Sequence, residues 1–209
     1  MEKAIAQLIR DIKDEDCHIR FAAARTLRDV GADNPVVLDA LIDALKDSIW
    51  FVRLAALQSL RDIRLESDIT IEKIVPMLKD EHEDVREYAA FAISDMGTKA
   101  SQAVTALTAA LSDSVWYVRA TVAWVLGEIG AGARDACRPL ITCLTDNEVE
   151  VRISAARALG TISSTDNKEV IIALEKVVRD KSQPPEAKEK AREALARIRS
   201  SGSQTNYPL

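Results

Sequence analysis

Aspartate and arginine recur together at a fixed spacing, and they are the residues of this sequence most able to do acid–base chemistry. Five aspartates follow one another at intervals of 33 residues, and an arginine lies six residues after each: Asp14, Asp47, Asp80, Asp113, Asp146 and Arg20, Arg53, Arg86, Arg119, Arg152. A carboxylate beside a guanidinium could take part in proton transfer. Aspartate can also accept hydrogen bonds from the amides of a turn, and the guanidinium of arginine can donate two parallel hydrogen bonds to a carboxylate. A pair in every period therefore predicts a structural ladder that fixes the stacking of repeats.

The histidines and cysteines form no recognisable metal or catalytic motif. The chain has His18, His82, Cys17, Cys137 and Cys143, and no zinc or iron spacing can be assembled from them. A glycine-rich phosphate loop and a nucleophile elbow are also missing from the sequence. We therefore expect no catalytic residue, no metal and no cofactor. The odd number of thiols favours a reducing compartment, so we expect a cytoplasmic protein.

Each period of the ladder contains two amphipathic helices, one before the aspartate and one after it. In the fourth period the second helix places Val118, Val122 and Leu126 on one face. The predicted helices are 2–13, 17–30, 34–46, 50–64, 68–79, 84–96, 99–111, 115–129, 133–144, 148–162, 166–179 and 185–199.

Glycine and proline mark the ends and bends of these helices. Asn34 and Pro35 predict a helix start, and Pro76 and Pro139 are expected to kink first helices that continue past them. Glycine at one shared position predicts that the second helix ends in a left-handed conformation. These residues are Gly31, Gly97 and Gly130.

The composition and the repeat together predict an all-α fold. The apolar share of 47 % is sufficient for a packed core, and 7 Gly with 4 % aromatic residues disfavours a β-sandwich or barrel. No apolar run is long enough to cross a membrane. We predict one continuous right-handed α-solenoid of about six helix pairs over residues 1–199, followed by a polar flexible tail over 200–209. A sixth copy begins at Asp180, one residue late, and has Lys188 in place of the arginine.

The repeat resembles a known family in its consensus, Asp-x4-Val-Arg-x2-Ala-Ala-x-Ala-Leu-Gly-x-Ile-Gly. The match is clearest over 146–162 and 113–130. This pattern is similar to the short HEAT-like repeat named after the phycobilisome (PBS) lyases. The resemblance implies a HEAT-repeat fold. It also implies an alternative function as a phycobilin lyase subunit, or as a factor that positions a bilin and has a phycobiliprotein as its partner.

Two sets of side chains depart from the repeat and are candidates for partner binding. In HEAT-like folds the second helices line the concave face, and their variable positions predict an aromatic patch flanked by polar residues: Tyr88, Phe91, Trp124, Arg25, Gln58 and Arg157. At the turn edge, Trp50 and Trp116 are expected to cap the core, whereas Phe51 and Tyr117 are expected to be exposed and to form a second contact edge.

The charge pattern helps to choose between function classes. The net charge of −5 argues against a nucleic-acid binder. An acidic column on the second helices is expected to form salt bridges within the solenoid: Asp29, Asp62, Asp95 and Glu128. Because the repeats are uniform in length, we favour a non-catalytic protein–protein interaction scaffold, with the bilin-handling role as the alternative.

Overall fold

The computed structural model describes residues 2–30, 34–63 and 68–201, and its elements in these ranges are helices. In chain order they are α1 (Glu2–Asp11), α2 (Cys17–Val30), α3 (Pro35–Ala44), α4 (Trp50–Asp62), α5 (Asp68–Ile74), the 3-10 helix η1 (Val75–Lys79), α6 (Glu83–Ser94), η2 (Gly97–Ala103), α7 (Val104–Ala110), α8 (Trp116–Ile129), η3 (Gly130–Ala136), α9 (Cys137–Cys143), α10 (Val149–Ile162), α11 (Lys168–Arg179) and α12 (Pro185–Ser201). The prediction of an all-α chain of helix pairs is confirmed. Gly31 and the tail residues 202–209 lie outside the described residues.

The segment Met1–Lys99 forms one compact unit. Its second helices pack in series, α2 on α4 and α4 on α6, and α1, α3 and η1 pack against α2, α4 and α6 respectively. Leu27, Leu57, Leu60 and Ile93 are fully buried in this core. Each such side chain contributes about 1.5–3 kcal/mol by leaving water, so the second helices hold this unit together.

The segment Ala100–Leu209 forms the other compact unit and repeats the same arrangement. Here α8 packs on α10 and α10 on α12, while α7, α9 and α11 pack on the second helices of their own pairs. Leu126, Leu140, Leu159 and Ile162 are fully buried between them. At Gly160 the helices α10 and α12 come so close that a Cβ would lie 2.7 Å from Cα of Ala194.

Three first helices differ from the prediction because part of each is a 3-10 helix. Pro76 does not kink a continuing α-helix; it lies in the first turn of η1. Pro139 lies in the first turn of α9, where backbone N–H groups have no acceptor within the helix. The N–H that proline lacks therefore costs the helix no hydrogen bond. The bend in that repeat instead falls at Ala133, whose φ and ψ of −102° and 23° are not helical. Proline therefore marks where these α-helices end or begin.

The glycine prediction holds in part at its two described positions: both have the positive φ it implies, but Gly130 lacks the left-handed ψ. Gly97 and Gly130 have φ of 57° and 67°, which disfavours any residue with a Cβ. Gly130 combines its φ with ψ of −134°, so it lies outside the left-handed helical region. Asn34 also caps α3 as predicted, because its side chain accepts the Val36 N–H at 3.0 Å.

Within the described ranges, none of the helices combines the length and the apolar character that crossing a bilayer requires.

Candidate partner-binding surfaces

The predicted aspartate–arginine ladder is present in the Met1–Lys99 unit. Nε and Nη2 of Arg20 donate to the Asp47 carboxylate at 2.6 and 2.9 Å, and Arg53 binds Asp80 in the same way at 2.7 Å for both bonds. Nη1 of Arg53 also donates to the main-chain oxygen of Asp47 at 2.7 Å. Each arginine thus joins the aspartate of its own turn to the aspartate of the next repeat, as the spacing predicts.

The ladder continues in the Ala100–Leu209 unit and then stops at Arg152. Arg119 binds the Asp146 carboxylate with Nε and Nη2, both at 2.8 Å. Arg152 donates from Nη1 to the main-chain oxygen of Asp146 at 2.6 Å, but its buried Nε has no hydrogen-bond partner among the described residues. The late Asp180 instead accepts the Ser182 amide and hydroxyl at 2.9 and 2.7 Å. The sequence shift before Asp180 therefore removes one rung.

Two carboxylates of the ladder, Asp47 and Asp146, are held in the ionised form. Burial disfavours the charge on Asp47, but the Arg20 guanidinium and the Ile49 amide outweigh burial and hold the pKa of Asp47 below its usual range. For Asp146 burial is again opposed, here by Arg119 and the Glu148 amide, and its pKa is also lowered. Carboxylates paired in this way link each turn to the arginine of the preceding repeat.

The second-helix face of the first unit combines paired charges with an aromatic ring. Arg61 donates to Tyr88 Oη at 3.1 Å, lies over the Tyr88 ring at 5.6 Å, and pairs with Asp95 at 2.5 Å. The Tyr88 hydroxyl and the Asp95 carboxylate raise the pKa of Arg61. Arg28 pairs with Asp62 at 3.1 Å, so the acidic column forms salt bridges within the unit, as predicted.

The other candidate residues on the second helices of this unit differ in exposure. Arg25 is exposed, with its guanidinium 5.6 Å from the Phe21 ring centre. Gln58 and Phe91 are half-buried. The structure thus brings Tyr88 together with Arg61, a residue outside the predicted set.

In the Ala100–Leu209 unit, the second-helix candidates are Trp124 on α8 and Arg157 on α10. Trp124 is half-buried, and the exposed Arg157 pairs with Glu128 at 3.3 Å. The last member of the acidic column is thus also paired within its unit.

The turn edge differs from the prediction in which aromatic residues are exposed. Trp50 and Trp116 are 36 % and 42 % exposed, whereas Phe51 and Tyr117 are half-buried. The expectation that the tryptophans cap the core and that Phe51 and Tyr117 are the exposed edge was wrong. Phe51 instead packs edge-on against Phe21 at 5.7 Å between ring centres.

Two histidines extend this aromatic edge in the first unit, and the sequence analysis missed them. His82 stacks on Trp50 with ring centres 3.9 Å apart, and His18 stacks on Phe51 at 5.8 Å. Phe51 also meets Trp50 edge-on at 5.8 Å. His18, Phe51, Trp50 and His82 form a row that we call the aromatic row. Their alignment at neighbouring positions of successive repeats was the available signal.

The comparisons with known proteins decide the family. The family model for HEAT repeats matches residues 1–66, 71–140 and 116–196. This chain belongs to the HEAT-repeat family. The more specific PBS-lyase type is not part of that match. No curated protein matches the chain of this HEAT-repeat protein.

Engineered and designed proteins are among the solved structures similar to this HEAT-repeat protein. An engineered protein is 22 % identical with a TM-score of 0.68, and the match covers 94 % of this chain and 97 % of that one. A designed armadillo repeat protein in complex with the peptide (KR)4 is 20 % identical with a TM-score of 0.68, over 93 % and 99 % of the two chains. Computationally designed armadillo repeat proteins for modular peptide recognition are 21 % identical, with a TM-score of 0.65 and the same coverage. At these identities the likeness shows the fold alone.

Proposed function

We propose that this HEAT-repeat protein is a non-catalytic scaffold that binds another protein. The observation that carries the proposal is an exposed tryptophan at the same position of two repeats, Trp50 and Trp116. Tryptophan contributes more binding energy than most residues when a partner buries it. The fold agrees with this role, since the similar armadillo proteins are described as designed for modular peptide recognition.

The second-helix faces are the other surface that we propose for the partner. Tyr88, Phe91 and Trp124 would supply aromatic contacts there, and Arg25, Gln58 and Arg157 would select polar groups. Charges of both signs lie side by side on these faces, as in Arg28–Asp62 and Arg157–Glu128. Such a surface suits a protein partner better than the uniformly negative backbone of a nucleic acid.

The bilin-handling alternative has weaker support. A chromophore site requires a concave pocket of some hundreds of Å³, which an insertion in one repeat could create. The aspartates from Asp14 to Asp146 keep the spacing of 33 residues throughout. This uniformity supports a scaffold whose repeats differ mainly in surface side chains.

An affinity capture from the cytoplasmic extract of the source cell, read by mass spectrometry, tests the proposal and the surface together. The baits are the wild type, Trp50→Ala/Trp116→Ala for the turn edge, and Phe91→Ala/Trp124→Ala for the second-helix faces. We expect a protein partner that the wild type captures and the turn-edge variant loses. Loss only in the second-helix variant would instead assign the partner to those faces.

The matched control is Val36→Ala/Ile172→Ala, which removes two exposed aliphatic side chains from first helices. This variant should retain the partner, and circular dichroism should show equal helix content in all baits. Capture of no protein, combined with a changed visible spectrum of added phycocyanobilin, would contradict the scaffold and favour bilin handling.

A further inference from the structure

Three residues at the start of α2 bring three different metal-binding groups together. Asp16, Cys17 and His18 each offer one ligand atom, and these atoms lie within 4.8 Å of one another. We propose that Asp16, Cys17 and His18 bind one Zn²⁺ ion. No metal was expected from the sequence, because these three consecutive residues do not have the ligand spacing of known zinc sites.

The ligand set has the chemistry that zinc selects. Zn²⁺ in proteins is bound by cysteine sulfur, histidine nitrogen and aspartate oxygen at about 2.0–2.3 Å, with tetrahedral geometry. At these bond lengths, tetrahedral ligand atoms lie about 3.3–3.8 Å apart. The side chains of Asp16 and His18 are exposed and that of Cys17 is half-buried, so they can close the remaining distance. Three protein ligands leave the fourth position for water.

Hydrogen bonds fix the main chain of the turn and leave ligand atoms available. Asp16 Oδ1 accepts the His18 N–H at 2.8 Å, which leaves the other carboxylate oxygen for the metal. Nη1 of Arg20 donates to the main-chain oxygens of Asp14 and Glu15 at 2.9 and 3.0 Å. The His18 ring is stacked on Phe51. A turn fixed in this way loses little conformational entropy when the metal binds.

The local charge favours a cation. Asp14, Glu15 and Asp16 place three carboxyl groups in this turn, and the nearby guanidinium of Arg20 is engaged by Asp47. The N-terminal end of a helix opposes a cation but stabilises a negative charge. The cysteine ligand binds metal as the thiolate, whose negative charge offsets part of the charge of Zn²⁺.

The site belongs to the first repeat alone among the equivalent described turns. The corresponding residues are Ile49-Trp50-Phe51, His82-Glu83-Asp84, Val115-Trp116-Tyr117 and Glu148-Val149-Glu150, and none of these contains a thiol. The turn after Asp80, with His82, therefore provides an internal control in which a histidine and carboxylates are present without cysteine.

Calorimetric titration of the reduced, metal-free full chain with Zn²⁺ tests the proposal. We expect one Zn²⁺ per chain, and we expect Cys17→Ser and His18→Asn each to weaken binding by about tenfold or more. The control variant His82→Asn should bind Zn²⁺ like the wild type. No binding of Zn²⁺ by the wild type, or equal affinity in the Cys17→Ser and His18→Asn variants, overturns the proposal.

A second measurement keeps the test valid if a variant folds poorly. Alkylation of the wild-type chain by iodoacetamide is followed by mass spectrometry, with and without Zn²⁺. We expect Zn²⁺ to slow modification of Cys17, while the buried Cys137 and Cys143 react slowly in both conditions. A Cys17 alkylation rate that Zn²⁺ leaves unchanged contradicts thiolate ligation.

Discussion

At the scale of single residues, Arg53 and Asp80 form a deeply buried ion pair of the ladder. Arg53 is 7 % exposed and its partner Asp80 is 4 % exposed. Two ions so far from water are tolerated only when every polar atom has a partner. All the donor nitrogens of Arg53 are used by Asp80, Glu81 and the Asp47 main chain, so this rung depends strongly on its geometry.

We expect Arg53→Met to lower the free energy of unfolding by about 3–5 kcal/mol, because it leaves the Asp80 carboxylate buried without its partner. In the matched variant Arg152→Met, a half-buried arginine loses only hydrogen bonds to main-chain oxygens. We expect its free energy of unfolding to fall by about 1 kcal/mol. Urea unfolding followed by circular dichroism measures both. Equal decreases in the free energy of unfolding of the two variants would show that the Arg53–Asp80 ion pair contributes nothing to stability.

The lowered pKa values of Asp47 and Asp146 predict a loss of stability in acid. The folded-state pKa lies below the unfolded value of about 3.9. The stabilisation is therefore complete above about pH 4 and is lost as the pH falls through the folded pKa. Urea unfolding at about pH 6 and pH 3 should show a smaller pH-dependent loss in Asp47→Asn/Asp146→Asn than in the wild type. An unchanged pH dependence in this variant would contradict the ionised rungs.

The ladder could be predicted from the sequence because its residues recur at one spacing, and the break at Arg152 follows from the extra residue before Asp180. The exposure of the aromatic edge could not be predicted. Trp50 and Phe51 are both large and apolar, and which of them packs inward depends on the space beside the turn. Tertiary packing determines which of two adjacent apolar side chains is buried, and neither hydropathy nor periodicity in the sequence contains that information.

At the scale of the helices, the second helices agree with the sequence analysis and the first helices agree less well. In α8, α10 and α12 the apolar residues repeat at helical spacing without a break. The 3-10 segments η2 and η3 precede α7 and α9 in positions where alanine and glycine are frequent. Such residues carry too little side-chain pattern to distinguish a 3-10 helix from the first turns of an α-helix.

We expect Gly160→Ala to lower the free energy of unfolding by about 1–3 kcal/mol, because the new methyl group would overlap the backbone of α12 at Ala194. The control Gly132→Ala meets only side-chain atoms of Ile129 and Ser101, at 3.3 and 3.4 Å. It should change stability by less than about 1 kcal/mol. Urea unfolding measures both variants, and a Gly160→Ala protein as stable as the wild type would contradict the close packing.

At the scale of the whole molecule, the net charge of −5 is distributed so that many basic groups are already engaged. Arg28, Arg61 and Arg157 of the second helices pair with acids of their own units. These paired arginines are less available to replace the counterions of a phosphate backbone.

We therefore expect the wild type to bind generic duplex DNA more weakly than about 10⁻⁴ M at physiological salt. Asp29→Asn/Asp62→Asn/Asp95→Asn, which releases Arg28 and Arg61, should bind more tightly and lose that binding as salt is added. Fluorescence anisotropy of a labelled duplex at two salt concentrations makes the comparison. Tight, salt-sensitive binding by the wild type would contradict a protein-binding surface.

The offset of the ladder has a consequence for how such a chain can evolve. Arg20, Arg53 and Arg119 each pair with the aspartate 27 residues later, in the following repeat. A gene duplication or deletion of 33 whole codons keeps this spacing and leaves such rungs matched. A change of any other length separates one arginine from its aspartate. The shift of one residue before Asp180 has the same effect on Arg152. The pairing therefore favours the gain or loss of whole repeats, because such changes lengthen or shorten the chain without requiring new side chains at the rungs.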